Sequence, residues 1–263
     1  MRRQGTIRGL TAAMGLLALA ITSGCATNGS QEDKDLARRR ASSHFNLAAD
    51  HADNGRLELA LRELLAAQRL DPDNAQVEHG LGIAYLGKGK QVAAEQHMLR
   101  AVEIEPSYQE ARYNLSTLYL NQGRYEECIQ HAELLVDDAT YPSPWRALSN
   151  MGWAAYQLGE PERARAQFDY AQDYNHRYWP THLNLGILEE SEGNREAAMR
   201  AFETVLTLRP TDSAAAEANY RLAEIYVSMG RRSEAMAYLR SAVVRAPGDS
   251  WGRKSEAYLK SLR

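Results

Sequence analysis

The sequence predicts an all-α solenoid in which pairs of helices stack along one axis. A glycine recurs six times, at spacings of 34, 34, 36, 34 and 37 residues. A large apolar residue stands eight positions before each glycine and is followed at once by a small residue, and a second small residue stands five positions after the glycine. A fixed period of about 20–50 residues indicates stacked units whose apolar faces cover one another. We therefore expect six units that form an extended interaction surface rather than a closed catalytic cleft.

Each of these positions has a packing role in a two-helix unit. The glycine would end the first helix, and the paired small residues would let the two helices approach closely. The glycines are Gly55, Gly89, Gly123, Gly159, Gly193 and Gly230. The large residues are Leu47, Leu81, Leu115, Met151, Leu185 and Leu222, and the later small ones are Ala60, Ala94, Cys128, Ala164, Ala198 and Ala235. Because proline lacks an amide hydrogen and clashes with the preceding turn, Pro72, Pro106, Pro210 and Pro247 would stop four of the second helices.

The stretch from residue 75 to 108 shows the order of positions in one unit. Leu81, Gly82 and Tyr85 share one helical stripe, Gly89 breaks it, and Ala94, Met98 and Ala101 form a second stripe that ends at Pro106. This order resembles the tetratricopeptide repeat. The resemblance implies a right-handed superhelical solenoid of about six such repeats over residues 39–249. Residues 250–263 would form a C-terminal capping helix, because an uncovered last unit would expose apolar surface.

The N-terminus differs from the repeats in kind. Three arginines precede an acid-free apolar run over residues 9–21, which is too short to span a bilayer and is typical of a signal peptide over residues 1–24. The small residues before Cys25 resemble the lipobox of bacterial lipoproteins, although Thr22 stands where that family usually has leucine. The resemblance implies acylation of Cys25, and Ala26 after it favours the outer membrane. Residues 25–38 would be the lipidated N-terminus and a polar linker; the alternative is an ordinary signal peptide, cut nearby, that leaves a free thiol.

The concave face of such a solenoid is lined by the first helices, and three positions in each unit are predicted to face it. Several of these side chains could instead pack between neighbouring helices. The predicted protein-binding groove consists of Phe45, His79, Ile83, Leu86, Tyr113, Thr117, Leu120, Trp153, Tyr156, Leu183 and Ile187. Its centre is apolar and aromatic, which suits an amphipathic helix or an extended apolar segment. The groove has no cluster of lysine and arginine, so a C-terminal acidic peptide is not an expected ligand.

Other functional classes find little support in the sequence. The net charge of −3 offers no basic excess for nucleic acid. No HExxH motif occurs, and the loop-like GIAYLGKG places Gly89 where a phosphate-binding loop needs Ser or Thr. We therefore expect no catalytic residues, no metal, no cofactor and no small-molecule substrate; the expected partner is a protein.

An insertion after the third unit points to a narrower family. The segment from residue 136 to 145, VDDATYPSPW, adds two residues and two prolines, so the stack should bend or open there. Together with the lipobox and the six repeats, residues 138–159 are similar to the type IV pilus pilotin family, called PilF, PilW or Tgl in different bacteria. The resemblance implies a lipid-anchored protein on the periplasmic face of the outer membrane that assists assembly, localisation or stability of the pilus secretin. The alternative is a periplasmic repeat adaptor for cell-wall hydrolases or synthases.

Overall fold

The computed structural model describes residues 24–262, with side chains from residue 31, and this part of the chain contains thirteen α-helices and no strand. The predicted signal peptide lies, apart from Gly24, outside the described residues. In order, the helices are α1 Gly24–Asp53, α2 Leu57–Leu70, α3 Ala75–Gly87, α4 Gln91–Ile104, α5 Gln109–Asn121, α6 Tyr125–Val136, α7 Pro144–Gln157, α8 Pro161–Tyr174, α9 Trp179–Ser191, α10 Arg195–Thr207, α11 Asp212–Ser228, α12 Arg232–Arg245 and α13 Ser250–Ser261. Over this range, no helix combines the length and the apolar character that crossing a bilayer requires.

Consecutive helices pair into six units, from α1–α2 to α11–α12, and α13 follows the last unit. We call the first helix of each unit its A helix and the second its B helix. Each unit also contacts the next one, so the chain builds a stack without a central core. Apolar clusters follow the stack from end to end rather than gathering in one place. The predicted all-α repeat solenoid is thereby confirmed.

The recurring glycine ends each A helix because it adopts a left-handed backbone conformation. At Gly89, φ is +70°, and the other five glycines have φ values between +69° and +81°. The amide of Lys90 donates to the carbonyl of Tyr85 over 2.9 Å, and the amide of Gly89 donates to Leu86 over 2.8 Å. These bonds satisfy carbonyls at the helix end, and a residue without Cβ enters this conformation at little cost. The predicted turn is therefore present in all six units.

The small residue on each A helix meets the side chain of the B helix. A Cβ on Gly152 would lie 2.5 Å from the ring of Phe168, and Phe168 itself is fully buried. The six small residues after the glycines are buried too, with at most 1% exposed. Because the A helix carries no side chain at Gly152, the ring of Phe168 from the B helix fills the space between the two helices.

The segment predicted as a polar linker is helical in the structure, since α1 begins at Gly24. No proline interrupts the segment, and its polar side chains interact at helical spacing: Gln31 donates to Asp35 over 3.2 Å, and Arg38 lies 3.6 Å from Asp35. Such pairs support a helix that buries little surface. The segment is thus a helix where an irregular tether was expected, and its role as a linker stays a prediction.

The two ends of the stack differ. At the C-terminal end, Leu259 of α13 is 8% exposed and, with Tyr258, joins the apolar cluster of α11 and α12, while Trp251 packs on a neighbouring cluster. At the N-terminal end, Leu47 is 44% exposed, although its equivalents Leu81 and Leu115 are fully buried. By the residues that the structure describes, the last unit is therefore covered at its end and the first unit is not.

Candidate protein-binding groove

The A helices form the inner side of the stack. Helix α1 contacts α3, α5 contacts α7, and α7 contacts α9, whereas the B helices of neighbouring units make no comparable contact in the described part of the chain. A stack whose A helices lie closer together than its B helices curves toward the A helices. The groove predicted from the sequence therefore lies on the concave side.

The predicted groove residues are partly exposed, with two departures. Ile83 is 42% exposed, the most accessible of the set. Leu183 is only 8% exposed and belongs to the apolar cluster around α11, so it is a core residue rather than a surface one. The half-buried members are Phe45, His79, Leu86, Tyr113, Thr117, Leu120, Trp153, Tyr156 and Ile187.

The half-buried apolar residues both pack and face outward. Leu86 and Leu120 lie against the cluster that contains Met98, and Trp153 and Tyr156 lie against the cluster that contains Phe168. The rings of Trp153 and Tyr156 are 5.2 Å apart and tilted by 36°. Because each side chain is held from behind by the core, the apolar face toward the groove is preformed rather than mobile.

Two polar groove residues are engaged by neighbouring units. One ring nitrogen of His79 lies 3.0 Å from the hydroxyl of Tyr108, and the other lies 2.7 Å from the amide nitrogen of Asn114. Asn150 donates to the hydroxyl of Thr117 over 3.1 Å. Burial lowers the pKa of His79, so its imidazole is neutral at pH 7. Asn114 and Asn150 thus form hydrogen bonds between neighbouring units, and His79 and Thr117 are their partners.

The insertion between α6 and α7 forms one wall of a cavity. The cavity has a volume of about 230 Å³, and we call it the Tyr-Pro cavity. It is lined by His79, Gln109, Glu110, Tyr113, Asn114, Tyr141, Pro142, Ser143 and Arg146. Gln109 donates to Asp138 over 2.6 Å and to Thr140 over 2.9 Å, which fixes the insertion to α5. The opening expected at the insertion is therefore present as a defined space on the A-helix side.

Seven of the nine lining residues are outside the predicted groove, and three of them lie at the start of a helix. Gln109, Glu110 and Arg146 lie in the first turn of α5 or α7, outside the three positions assumed to face the groove. Glu110 and Arg146 both stand thirteen residues before a recurring glycine. A pair of opposite charges at one repeat position in adjacent units was the signal that could have indicated them.

The structure does not show where the side chain of Cys25, the predicted lipidation site, lies relative to the groove. The backbone of Cys25 lies at the start of α1, but its side chain is outside the described part of the structure.

The second cysteine, Cys128, is fully buried, and burial raises the pKa of its thiol to about 12. It packs at the crossing of α5 and α6 in the place that alanine takes elsewhere.

Six two-helix units, left-handed glycines and a preformed concave face define a helical-repeat scaffold for binding protein. Models of the tetratricopeptide repeat match residues 45–108, 97–130, 145–169 and 190–252, which together are more than half of the chain. The chain belongs to the tetratricopeptide-repeat family.

Solved structures share this architecture. PilF of Pseudomonas aeruginosa is 20% identical with a TM-score of 0.71, covering 86% of this chain and 99% of its own. PilW, described as a widely conserved type IV pilus biogenesis factor, is 17% identical with a TM-score of 0.71, covering 81% of this chain and 97% of its own. A thermophilic repeat protein of Thermus thermophilus is 27% identical with a TM-score of 0.58, covering 72% of this chain and 98% of its own. No curated protein sequence matches the chain. The chain is thus a repeat scaffold that resembles PilF and PilW in fold.

Proposed function

We propose that this protein is a lipid-anchored scaffold on the periplasmic face of the outer membrane that assists assembly, localisation or stability of the type IV pilus secretin. The observation that carries the proposal is the extent of the likeness: nearly the whole of PilF and PilW aligns with this chain. A single shared repeat would carry no such information, because the repeat fold serves many partners. The Tyr-Pro insertion adds a feature that the repeat pattern alone does not require.

The anchor would act through the acylated Cys25. Each buried methylene of an acyl chain contributes about 0.8 kcal/mol, and two or more chains hold a protein stably at a membrane. Anchoring would confine the scaffold to the surface where the secretin has to insert. A soluble form would still bind its partner but would not deliver it.

The groove would hold a segment of the secretin. Ile83, Leu86, Leu120, Trp153 and Tyr156 present apolar surface that their core contacts keep in place. Covering an apolar segment of an unassembled subunit would prevent it from aggregating until other subunits arrive. An open groove suits this task, since the segment must be released again.

The experiment is deletion of the gene, followed by measurement of heat-resistant secretin multimers in membrane fractions. Complementation with the native gene should restore the multimers, while Cys25→Ser and Ile83→Glu should not. Ile83→Glu puts a charge on the most exposed groove residue without removing core volume. Val92→Glu is the matched control, because Val92 is 71% exposed on the B helix of the same unit and should restore the multimers.

Two results would overturn the proposal. Normal multimers and normal twitching in the deletion strain would exclude a role in secretin assembly; altered cell shape or peptidoglycan would then favour the cell-wall adaptor. Equal restoration by Ile83→Glu and Val92→Glu would exclude the groove as the binding face. Equal accumulation of both variants, checked by immunoblot, makes that comparison valid.

A further inference from the structure

We propose that the Tyr-Pro cavity is a separate subsite of the scaffold, which takes an aromatic residue followed by an acidic residue from an extended segment of a partner protein. The ring would enter between Tyr113, Tyr141 and Pro142, and the carboxylate would pair with Arg146. The inference concerns the chemistry of the bound segment and does not depend on the partner being a secretin.

The size of the cavity fits a side chain rather than a whole small molecule. Its volume of about 230 Å³ lies below the range of about 300–1,000 Å³ that is usual for small-ligand pockets. Tyr113, Tyr141 and Pro142 supply flat apolar walls. Aromatic rings pack well on such walls, in tilted or offset arrangements. One ring of a peptide is therefore the occupant that the walls favour.

The positive charge of Arg146 favours a carboxylate of the ligand beside it. The guanidinium of Arg146 lies over the ring of Tyr113, 4.0 Å from its centroid. Among the described residues no carboxylate lies within 4.0 Å of it, whereas Arg221 of α11 pairs with Glu190 at 2.6 Å and Glu217 at 2.9 Å. Arginine carries five N–H donors in a planar fork that matches a carboxylate. The neighbours of this fork are the neutral hydroxyls of Tyr113 and Tyr178, so the charge of Arg146 remains available to a carboxylate of a ligand.

A second charged residue, Glu110, also lines the cavity. Glu110 lies toward His79 and Tyr108; burial, and after it this carboxylate, raises the pKa of Tyr108 to about 12. A carboxylate of the ligand would be repelled there, and neutral His79 offers no compensating charge. We therefore place the acidic residue of the segment at Arg146, in the first turn of α7, and not beside Glu110.

The wall formed by the insertion is fixed before any ligand arrives. Asp138 accepts from the amide of Thr140 over 2.9 Å and from its hydroxyl over 2.7 Å, and Gln109 adds its bond from α5. Tyr141 is half-buried, and this burial raises the pKa of its phenol to about 12. A preformed wall reduces the ordering cost of binding. The subsite is therefore able to add affinity to a segment that also occupies the apolar groove.

The test is a titration of the ¹⁵N-labelled protein with three blocked peptides, Ac-Gly-Phe-Glu-Gly-NH₂, Ac-Gly-Phe-Gln-Gly-NH₂ and Ac-Gly-Ala-Glu-Gly-NH₂. Their ends are capped, so only the side chains differ. We expect the Phe-Glu peptide to bind about tenfold more tightly than either other peptide, since a charge-assisted pair and a buried aromatic ring are each worth about that factor. The amide shifts should centre on Tyr141, Ser143 and Arg146.

Arg146→Gln should make the Phe-Glu and Phe-Gln peptides bind equally, while Arg163→Gln should preserve the difference. Arg163 is a matched control, because it is exposed on α8 of the same unit and pairs with Glu133 and Glu160. An unchanged melting temperature verifies that each variant is folded. Equal binding of the three peptides to the native protein, no binding of any of them, amide shifts centred elsewhere, or an undiminished preference in Arg146→Gln would each overturn the proposal.

Discussion

His97 Nδ1 lies 2.7 Å from Glu78 Oε2, and this contact joins the B helix of unit 2 to its A helix. In unit 1 the same two repeat positions hold His44 and Glu63, 2.8 Å apart, with the residue types exchanged between the helices. In both units the carboxylate is the more buried partner. A His–Glu pair therefore joins the A helix to the B helix within each of the first two units. The later units have other residue pairs at these two positions.

Glu78→Ala should lower the free energy of unfolding by about 2–3 kcal/mol, because it leaves His97 and Gln68 without their acceptor. Urea denaturation followed by circular dichroism measures the change. Glu103→Ala is the control: its side chain is 70% exposed and pairs with Arg100 at 2.8 Å, so it should cost only about 0–1 kcal/mol. Equal costs would show that the buried pair adds nothing beyond a surface pair.

The third unit should lose stability in mild acid through His131. Burial, and after it the Arg112 cation at the paired repeat position, lowers the pKa of His131 below its ordinary 6.5, although the Glu127 carboxylate acts in the opposite direction. The unfolded chain takes up the proton near the ordinary pKa and the folded chain only at lower pH. The neutral imidazole therefore contributes its stability above that ordinary value, and the contribution is lost as the pH falls below it.

Urea midpoints at about pH 7 and about pH 5.5 test this dependence. The native protein should have the lower midpoint in acid, and His131→Gln should reduce the difference. His176→Gln, which changes an exposed histidine, should leave it as it is. An unchanged difference in His131→Gln would contradict the assignment.

Gly186→Ala should destabilise the fifth unit. Alanine normally favours a helix over glycine by about 1 kcal/mol, but here its Cβ would lie 2.5 Å from the ring of buried Phe202. We expect a net loss of about 1–3 kcal/mol, which is typical of an overfilled core. Thermal melting measures it.

Two further variants separate crowding from other effects of that substitution. The double variant Gly186→Ala, Phe202→Leu should be less destabilised than the sum of its two single variants, because the smaller side chain relieves the contact. Gly248→Ala, where no atom lies within 4 Å of the added Cβ, should be close to neutral. Strict additivity would argue against a clash.

Leu259→Ala should weaken the C-terminal cap by about 2–3 kcal/mol, since Leu259 is 8% exposed within the cluster of α11 and α12. Hydrogen exchange should show faster exchange in α12 and α13 than in the native protein. Val244→Ala, at a position that is 80% exposed on α12, should change neither stability nor exchange. Protection of α12 that is undisturbed in Leu259→Ala would show that α13 does not act as a cap.

The fold could be predicted from the sequence because each unit repeats the same physical requirements. A left-handed turn admits glycine, and a close helix crossing admits only a small residue, so positions such as Gly89 and Gly152 recur at a fixed period. The helical start at Gly24 was not predictable in this way. A polar helix that buries little lacks the apolar periodicity on which the prediction relied.

The site was only partly predictable for a different reason. Repeat positions predict which side of a helix faces inward, but not how far a neighbouring helix covers it. Leu183 is buried in the apolar cluster that includes α11, while Ile83, at another of the predicted positions, remains exposed. The Tyr-Pro cavity depends on an insertion that breaks the period, so the repeat pattern does not predict that Glu110 and Arg146 line one space.

The exposure of Leu47 indicates that the stack should unfold from its N-terminal end. Every internal unit must break two interfaces to leave the stack, and the last unit must also lose α13. Within residues 24–262, the first unit has only its contacts with unit 2. In a one-dimensional array, each unit's stability is its own plus that of its interfaces. Under heat or under tension along the chain, we therefore expect the solenoid to unfold first at α1 and α2 and then toward the C-terminus.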